Sequence, residues 1–200
     1  TLHTVFPPGL PLGKPRDKDF QLEVLRAAFE LLEEPNGPVI DEFPESISAT
    51  DGEPLACSLP PQMNSELHPA VDEAQALKSA YDRAYERNKR SSVGMQISAE
   101  EIPEALEKFA KIAAGEHWTK VGFPEESMAE VMYGTVHDIR TYYEELACEL
   151  ADGPIGPWAT EQWFYDQTKA GQTILQARRT MKDNEADESL WFGLATAGRE

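Results

Sequence analysis

The sequence predicts a mainly helical protein of about five helices with an extended, proline-rich N-terminal arm. Apolar residues recur at helical spacing in several segments, and residues typical of helix caps and helix breaks bound those segments. The 15 prolines concentrate in the N-terminal third and at a few later breaks. We therefore expect an arm over residues 1–17 and a single helical domain over residues 18–200, with an irregular proline-rich segment at 38–68.

The arm and the first helix both carry more apolar residues than a small surface element needs. Four prolines interrupt the arm, and proline fixes φ and lacks an amide donor, so the arm forms no hydrogen-bonded element of its own and is expected to lie on a neighbouring chain. Asp17 is a predicted N-cap. Between Phe20 and Leu32, apolar residues cover most of the circumference of the predicted helix. This pattern indicates a helix that is deeply buried or sandwiched.

Three further helices are predicted after the irregular segment, in which Val39 and Ile40 are expected to form either a short strand or an extended contact. One begins at Pro69, where proline suits the first helical position. Another follows the capping box formed by Ser98 and Glu101. The longest starts at Pro124 and has an apolar face that runs to Leu150.

The last long helix is predicted from Thr160 as N-cap, with a face that runs from Trp163 to Met181. Gly171 lies in that face, which indicates the close approach of another backbone. The tail at 190–194 is expected to be a docking strand or a short helix. Aromatic residues are dense in this region and form either a core or an interface: Trp158, Trp163, Phe164, Tyr165, Trp191 and Phe192.

The net charge of the chain limits the kinds of molecule that it is expected to bind. Lys and Arg number 18 and Asp and Glu number 36, which gives a formal net charge of −18. Such a surface repels phosphate backbones and anionic lipid, so we expect neither nucleic acid nor membrane as a partner. Residues 1–12 lack the basic leader of a signal peptide. With only two cysteines, of which Cys148 is expected to be a buried free thiol, the sequence favours the cytoplasm.

The candidate metal ligands are Glu130, His137 and Glu144, which share one helix face at heptad spacing. They could hold an ion only with ligands from another element, and the sequence contains no Glu-x-x-His pair of the kind that di-metal helical bundles use. Their face lies opposite the apolar stripe of the same helix and is expected to be solvated. We therefore expect no stoichiometric metal.

Two other residues are candidates for catalysis. His117 follows Gly115 and precedes Trp118, and a histidine in a loop beside an aromatic ring can act as a general base. No nucleophile accompanies it in the sequence. Cys57 lies in a proline-rich loop without a Cys-x-x-Cys partner or an adjacent base. The sequence contains no Gly-rich phosphate loop, and no cofactor is indicated.

Several segments resemble a known family. They are Gly9–Asp17 with Gln21 and Val24–Ala28, Gly37–Pro44, Ser92–Gly94 before Ser98–Glu101, and Trp163–Tyr165 with Thr168, Ala170 and Gly171. They resemble small proteins associated with the glycine/betaine/D-proline reductase selenoprotein B-like family. Redox-active members of that family carry a selenocysteine or cysteine pair, which this sequence lacks. The resemblance therefore implies an accessory or small subunit beside a redox chain, and no catalytic residue carries over.

Three hypotheses about function follow. The first is an accessory subunit of an oligomeric, oxidoreductase-type enzyme, bound to a larger catalytic chain or to itself. The second is a free-standing helical enzyme that uses His117 or a metal at Glu130 and His137. The third is an acidic adaptor that binds a basic protein through its charge.

Overall fold

The computed structural model describes residues 1–6, 10–14, 17–47, 55, 57–151, 155 and 159–196. The chain forms two compact units, one from Thr1–Pro54 with Ile155–Ala159 and one from Leu55–Pro154 with Thr160–Glu200. The predicted boundary between arm and domain at residue 17 thus falls inside the smaller unit.

The fold is mainly helical, as predicted, with seven α-helices and two short strands among the described residues. The strands are β1 (Leu2–His3) and β2 (Asp41–Glu42). The helices are α1 (Lys18–Glu30), α2 (Pro69–Asn88), α3 (Ile102–Ala113), α4 (Met128–Leu150), α5 (Ala159–Gln167), α6 (Lys169–Asp183) and α7 (Glu188–Trp191). Of the described helices, none combines the length and the apolar character that crossing a membrane requires.

In the smaller unit, α1 packs on the segments that carry the two strands. Strands β1 and β2 pair in parallel, with Leu2 opposite Asp41. Beyond the strands, the Ile47 amide donates a hydrogen bond of 3.0 Å to the Val5 carbonyl oxygen. Phe20 and Phe43 are buried, and the half-buried Phe6 completes a triangle of rings with centroids 5.8 Å apart. The arm therefore covers its own unit, which corrects the expectation that it lies on a neighbour. Its residues 7–9 and 15–16 lie outside the described part.

The expectation that α1 is deeply buried is wrong. Asp17 caps the helix as predicted, since its side chain accepts a hydrogen bond of 3.1 Å from the Phe20 amide. Only Phe20 and Val24 of the helix are buried. Phe29 is 63% exposed and Leu32, in the following 3₁₀ turn Leu31–Glu33, is 79% exposed.

In the larger unit, α2 packs against α3, α4 and α6, and α3 packs against α6. The buried rings of α4 and α5 meet in the core, where Tyr143 lies 5.2 Å from Phe164 and 6.2 Å from Trp163, between ring centroids. Trp163, Phe164 and Tyr165 are at most 1% exposed, so this part of the aromatic cluster is core. Phe192 is 58% exposed, and Trp158 lies outside the described residues.

The helix count exceeds the prediction chiefly because the last predicted helix is two helices. Thr168 ends α5 by donating its hydroxyl to the Phe164 carbonyl at 2.6 Å, and it begins α6 by accepting the Gly171 amide at 3.0 Å. A Cβ at Gly171 would lie 2.1 Å from the Phe164 carbonyl oxygen. The predicted close approach of a backbone at this glycine is confirmed. The tail adds α7, and α5 begins at Ala159 rather than after a cap at Thr160.

Candidate interaction surface and polar clusters

Helix α1 carries two rows of apolar side chains, which lie on different sides of the helix. Phe20, Val24 and Ala27 form the first stripe, which the core of the smaller unit covers. The second stripe follows the spacing three, four, three, which is the seam of a helix that packs against another helix. It consists of Leu22, Leu25, Phe29 and Leu32, and we call it the α1 stripe.

The α1 stripe becomes more exposed along its length. Leu22 and Leu25 are half-buried, whereas Phe29 and Leu32 are among the most exposed large apolar side chains of the described residues. Single exposed apolar residues are ordinary on a protein surface, whereas Phe29 and Leu32 continue one row with Leu22 and Leu25.

The predicted metal face of α4 is only partly solvated. Glu130 is exposed, as expected, but the side chains of His137 and Glu144 are 32% and 33% exposed. Arg140 lies 3.4 Å from Glu144, between Nε and Oε1. Burial raises the pKa of Glu144; the charge of Arg140 opposes this rise, and that of Glu161 adds to it. Within the described part of the chain, no three His, Cys, Asp or Glu side chains are arranged to hold a metal ion.

His117 is the N-cap of a short 3₁₀ turn. Its Nδ1 lies 2.8 Å from the Thr119 hydroxyl and accepts the Thr119 amide at 3.4 Å, at the start of the 3₁₀ turn Trp118–Lys120. The ring stacks on Trp118, with centroids 4.1 Å apart. The structure thus gives this side chain a local structural role.

The buried cysteine is Cys57 rather than Cys148. Cys57 is buried, and its Sγ lies 3.8 Å from the Ala147 carbonyl oxygen on α4. Cys148 is exposed, which corrects the prediction that it is the buried thiol. The reason is helical phase, because Leu146 and Ala147 occupy the buried side of α4 and the next residue is rotated by about 100°.

Asp138 is a central residue that the sequence analysis missed. It is fully buried, and its two carboxylate oxygens accept four consecutive backbone amides, those of residues 94–97, at 2.6–3.0 Å. Burial by itself raises the pKa of Asp138, but the four amide hydrogen bonds together outweigh it and hold the pKa below its usual value. One turn earlier, Gly134 leaves room for the same loop, since a Cβ there would lie 2.9 Å from Cβ of Gln96.

Glu73 plays a comparable part at the start of α6. It is 5% exposed and accepts the amides of Lys169 and Ala170 at 3.0 and 3.2 Å, and the Tyr143 hydroxyl at 3.1 Å. Burial raises the pKa of Glu73, and these hydrogen bonds oppose the rise only in part. The carboxylate joins α2, α4 and α6.

Two more acids in the larger unit tie a helix to a connecting segment. Asp72 accepts the amides of Met63 and Asn64 at 2.7 and 3.0 Å. Glu145 accepts the Ser92 amide at 2.7 Å and the Ser91 hydroxyl at 2.8 Å. Together with Asp138 and Glu73, these acids accept hydrogen bonds from backbone amides in the connecting segments and at the start of α6.

An open groove lies where the start of α2 meets the end of α3. Two adjoining depressions of about 400 and 320 Å³ share His68, Ala110 and Ala114. The His68 ring caps α2 by accepting the Ala70 amide at 3.3 Å, and burial lowers its pKa. The groove places the His68 imidazole beside Ala110 and Ala114, and its lining residues include no Ser or Cys nucleophile.

Comparison with protein-family models, with curated proteins and with solved structures finds no match. The resemblance to the selenoprotein B-like family therefore stays a prediction.

Proposed function

We propose that this chain is an accessory subunit of a larger assembly and that the α1 stripe is its docking face. The class of assembly follows from the sequence resemblance alone, which implies an oxidoreductase-type enzyme. The subunit contributes an interface rather than a set of catalytic groups.

The exposed α1 stripe is the observation that carries this proposal. Phe29 and Leu32 each forgo roughly 1.5–3 kcal/mol that burial of a large apolar side chain would contribute. A helix that packs on the stripe would cover both side chains and complete the burial of Leu22 and Leu25. Aromatic side chains at the centre of such a contact commonly dominate its binding energy.

The roles of the acids support the same proposal. Asp72, Glu73, Asp138 and Glu145 are engaged by backbone amides, so their chemistry serves the fold. His117 is engaged as a cap.

The test is the size of the native species. The chain would be isolated from its native source in wild-type form and as Phe29→Ser/Leu32→Ser, and measured by size-exclusion chromatography with light scattering. Ile40→Ser is the matched control, because Ile40 is 79% exposed in the same unit and lies outside the stripe. Circular dichroism checks that every variant keeps its helices.

We expect the wild type and the control to elute as an assembly larger than one chain, and the double variant to elute as a monomer. A wild-type monomer in every preparation, or an assembly that the double variant leaves intact, would contradict the proposal.

A further inference from the structure

The α1 stripe has one acidic flank and one neutral flank. At 100° per residue, Asp19, Glu23, Glu30 and Glu33 fall on the side of the helix between the α1 stripe and the buried stripe, with Arg26 as the single base among them. We call these five residues the acidic edge. All of them are exposed, and none takes part in the ion pairs found among the described residues.

The opposite flank carries no charge. Gln21 and Ala28 lie there, both half-buried. A helix docked on the α1 stripe therefore meets a net charge of −3 on one side, from four acids and one base, and no charge on the other. The exposed Lys18 lies in line with the stripe, one turn before Leu22. Flanking charges of this kind select the partner and its orientation in helix pairs.

We infer that the α1 stripe takes an amphipathic helix from a different protein, one whose apolar seam is flanked by lysine or arginine. This inference rests on the proposed function and names the chemistry of the partner. A second copy of this chain fits poorly, because it brings the same acidic edge and a further formal charge of −18. Like charges placed across an interface suppress that pairing.

The dimensions set the length of the partner segment. From Leu22 to Leu32 the stripe spans about 15 Å, since each helical residue rises 1.5 Å. Three turns of a partner helix cover that distance. A contact this short depends on its few apolar anchors, so removal of two of them has a large effect.

The experiment uses two synthetic, fluorescein-labelled amphipathic peptides with the same leucine heptads. One carries lysine at the flanking positions and the other carries glutamate. Each is titrated with the full chain at low and at physiological salt, and binding is read by fluorescence anisotropy. The chain variants are Phe29→Ser/Leu32→Ser and the charge reversal Glu30→Lys/Glu33→Lys.

The matched charge control is Glu125→Lys/Glu126→Lys, which changes the net charge by the same amount at two exposed acids of the larger unit. We expect the basic peptide to bind at least tenfold more tightly than the acidic one, and more weakly as salt rises. Both α1 variants should weaken this binding at least tenfold, whereas the control should change it less than threefold.

Three results would overturn the inference. If the basic peptide binds equally to Phe29→Ser/Leu32→Ser, net charge alone attracts it. If the acidic peptide binds as well as the basic one, the acidic edge selects nothing. If neither peptide binds, the stated partner chemistry is wrong, and sedimentation equilibrium then shows whether the chain pairs with itself through Phe29. These outcomes leave the proposed docking face standing, because that proposal fails only if the wild type is a monomer in every preparation or if the native assembly survives the loss of the stripe.

Discussion

Replacement of Asp138 by alanine should destabilise the larger unit and release the loop at residues 94–97. The carboxylate is the shared acceptor of four backbone amides, so its removal leaves all four without their partner at once. A hydrogen bond to a charged group contributes roughly 1.5–3 kcal/mol net when it is buried. Residues 94–96 are exposed, so water can replace part of what they lose. The expected loss is therefore about 2–4 kcal/mol at pH 7.

The pH dependence of this loss has a definite sign. Because the pKa of Asp138 is lowered in the folded protein, its stabilisation is fully present above the ordinary aspartate value and is lost as the pH falls through the folded pKa. The difference in unfolding free energy between wild type and Asp138→Ala should thus shrink below about pH 4.

Urea unfolding followed by circular dichroism gives the magnitude, and hydrogen exchange of the amides at residues 94–97 gives the local effect. Glu130→Ala is the control, because Glu130 is an exposed acid on the same helix, and we expect it to change stability by less than about 0.5 kcal/mol. A loss of less than about 0.5 kcal/mol in Asp138→Ala, with the loop amides still protected, would refute the reasoning.

Three further predictions concern the same unit. Gly171→Ala should lower the unfolding free energy by about 3 kcal/mol or more in urea, because the new methyl group meets a backbone carbonyl at 2.1 Å; an unchanged midpoint would show that the two helices can separate at no cost. Tyr143→Phe should raise the pKa of Glu73 further, since the hydroxyl lowers it in the wild type; a carboxyl ¹³C titration that shows no change or a fall would contradict the assignment. A thiol reagent should label the exposed Cys148 in the folded protein, slowly because partial desolvation of the thiol by its neighbours raises its pKa, and Cys57 only after unfolding; the reverse order would be incompatible with the structure.

The helical class was predictable because it depends on local signals. The cap at Asp17, the proline at the start of α2 and the tight packing at Gly171 are each encoded within a few residues, and the structure confirms them. The split at Thr168 is also local, since its side chain bonds both neighbouring helices, but the continuous apolar face of the predicted helix masked that signal.

The environment of each face was harder to predict, because it depends on residues distant in sequence. The spacing of apolar residues shows that α1 is apolar on most sides. The side that is buried is the one that packs against Phe43 and the arm, which are distant from it in sequence. Asp138 likewise acquires its role from a loop more than 40 residues away. A glycine four residues before an acid on one helix, as at Gly134 and Asp138, is the local signal that could have indicated a docked loop.

The most direct test of the docking face is photocrosslinking at position 29. The chain would carry benzoylphenylalanine in place of Phe29, and in a parallel sample in place of Ile40, and would be irradiated in its native source. We predict a single prominent adduct from position 29, mapped by mass spectrometry to an amphipathic helix rich in lysine or arginine in another protein, and no such adduct from position 40. Equal adducts from both positions, or none from position 29, would contradict the claim that the α1 stripe is the docking face.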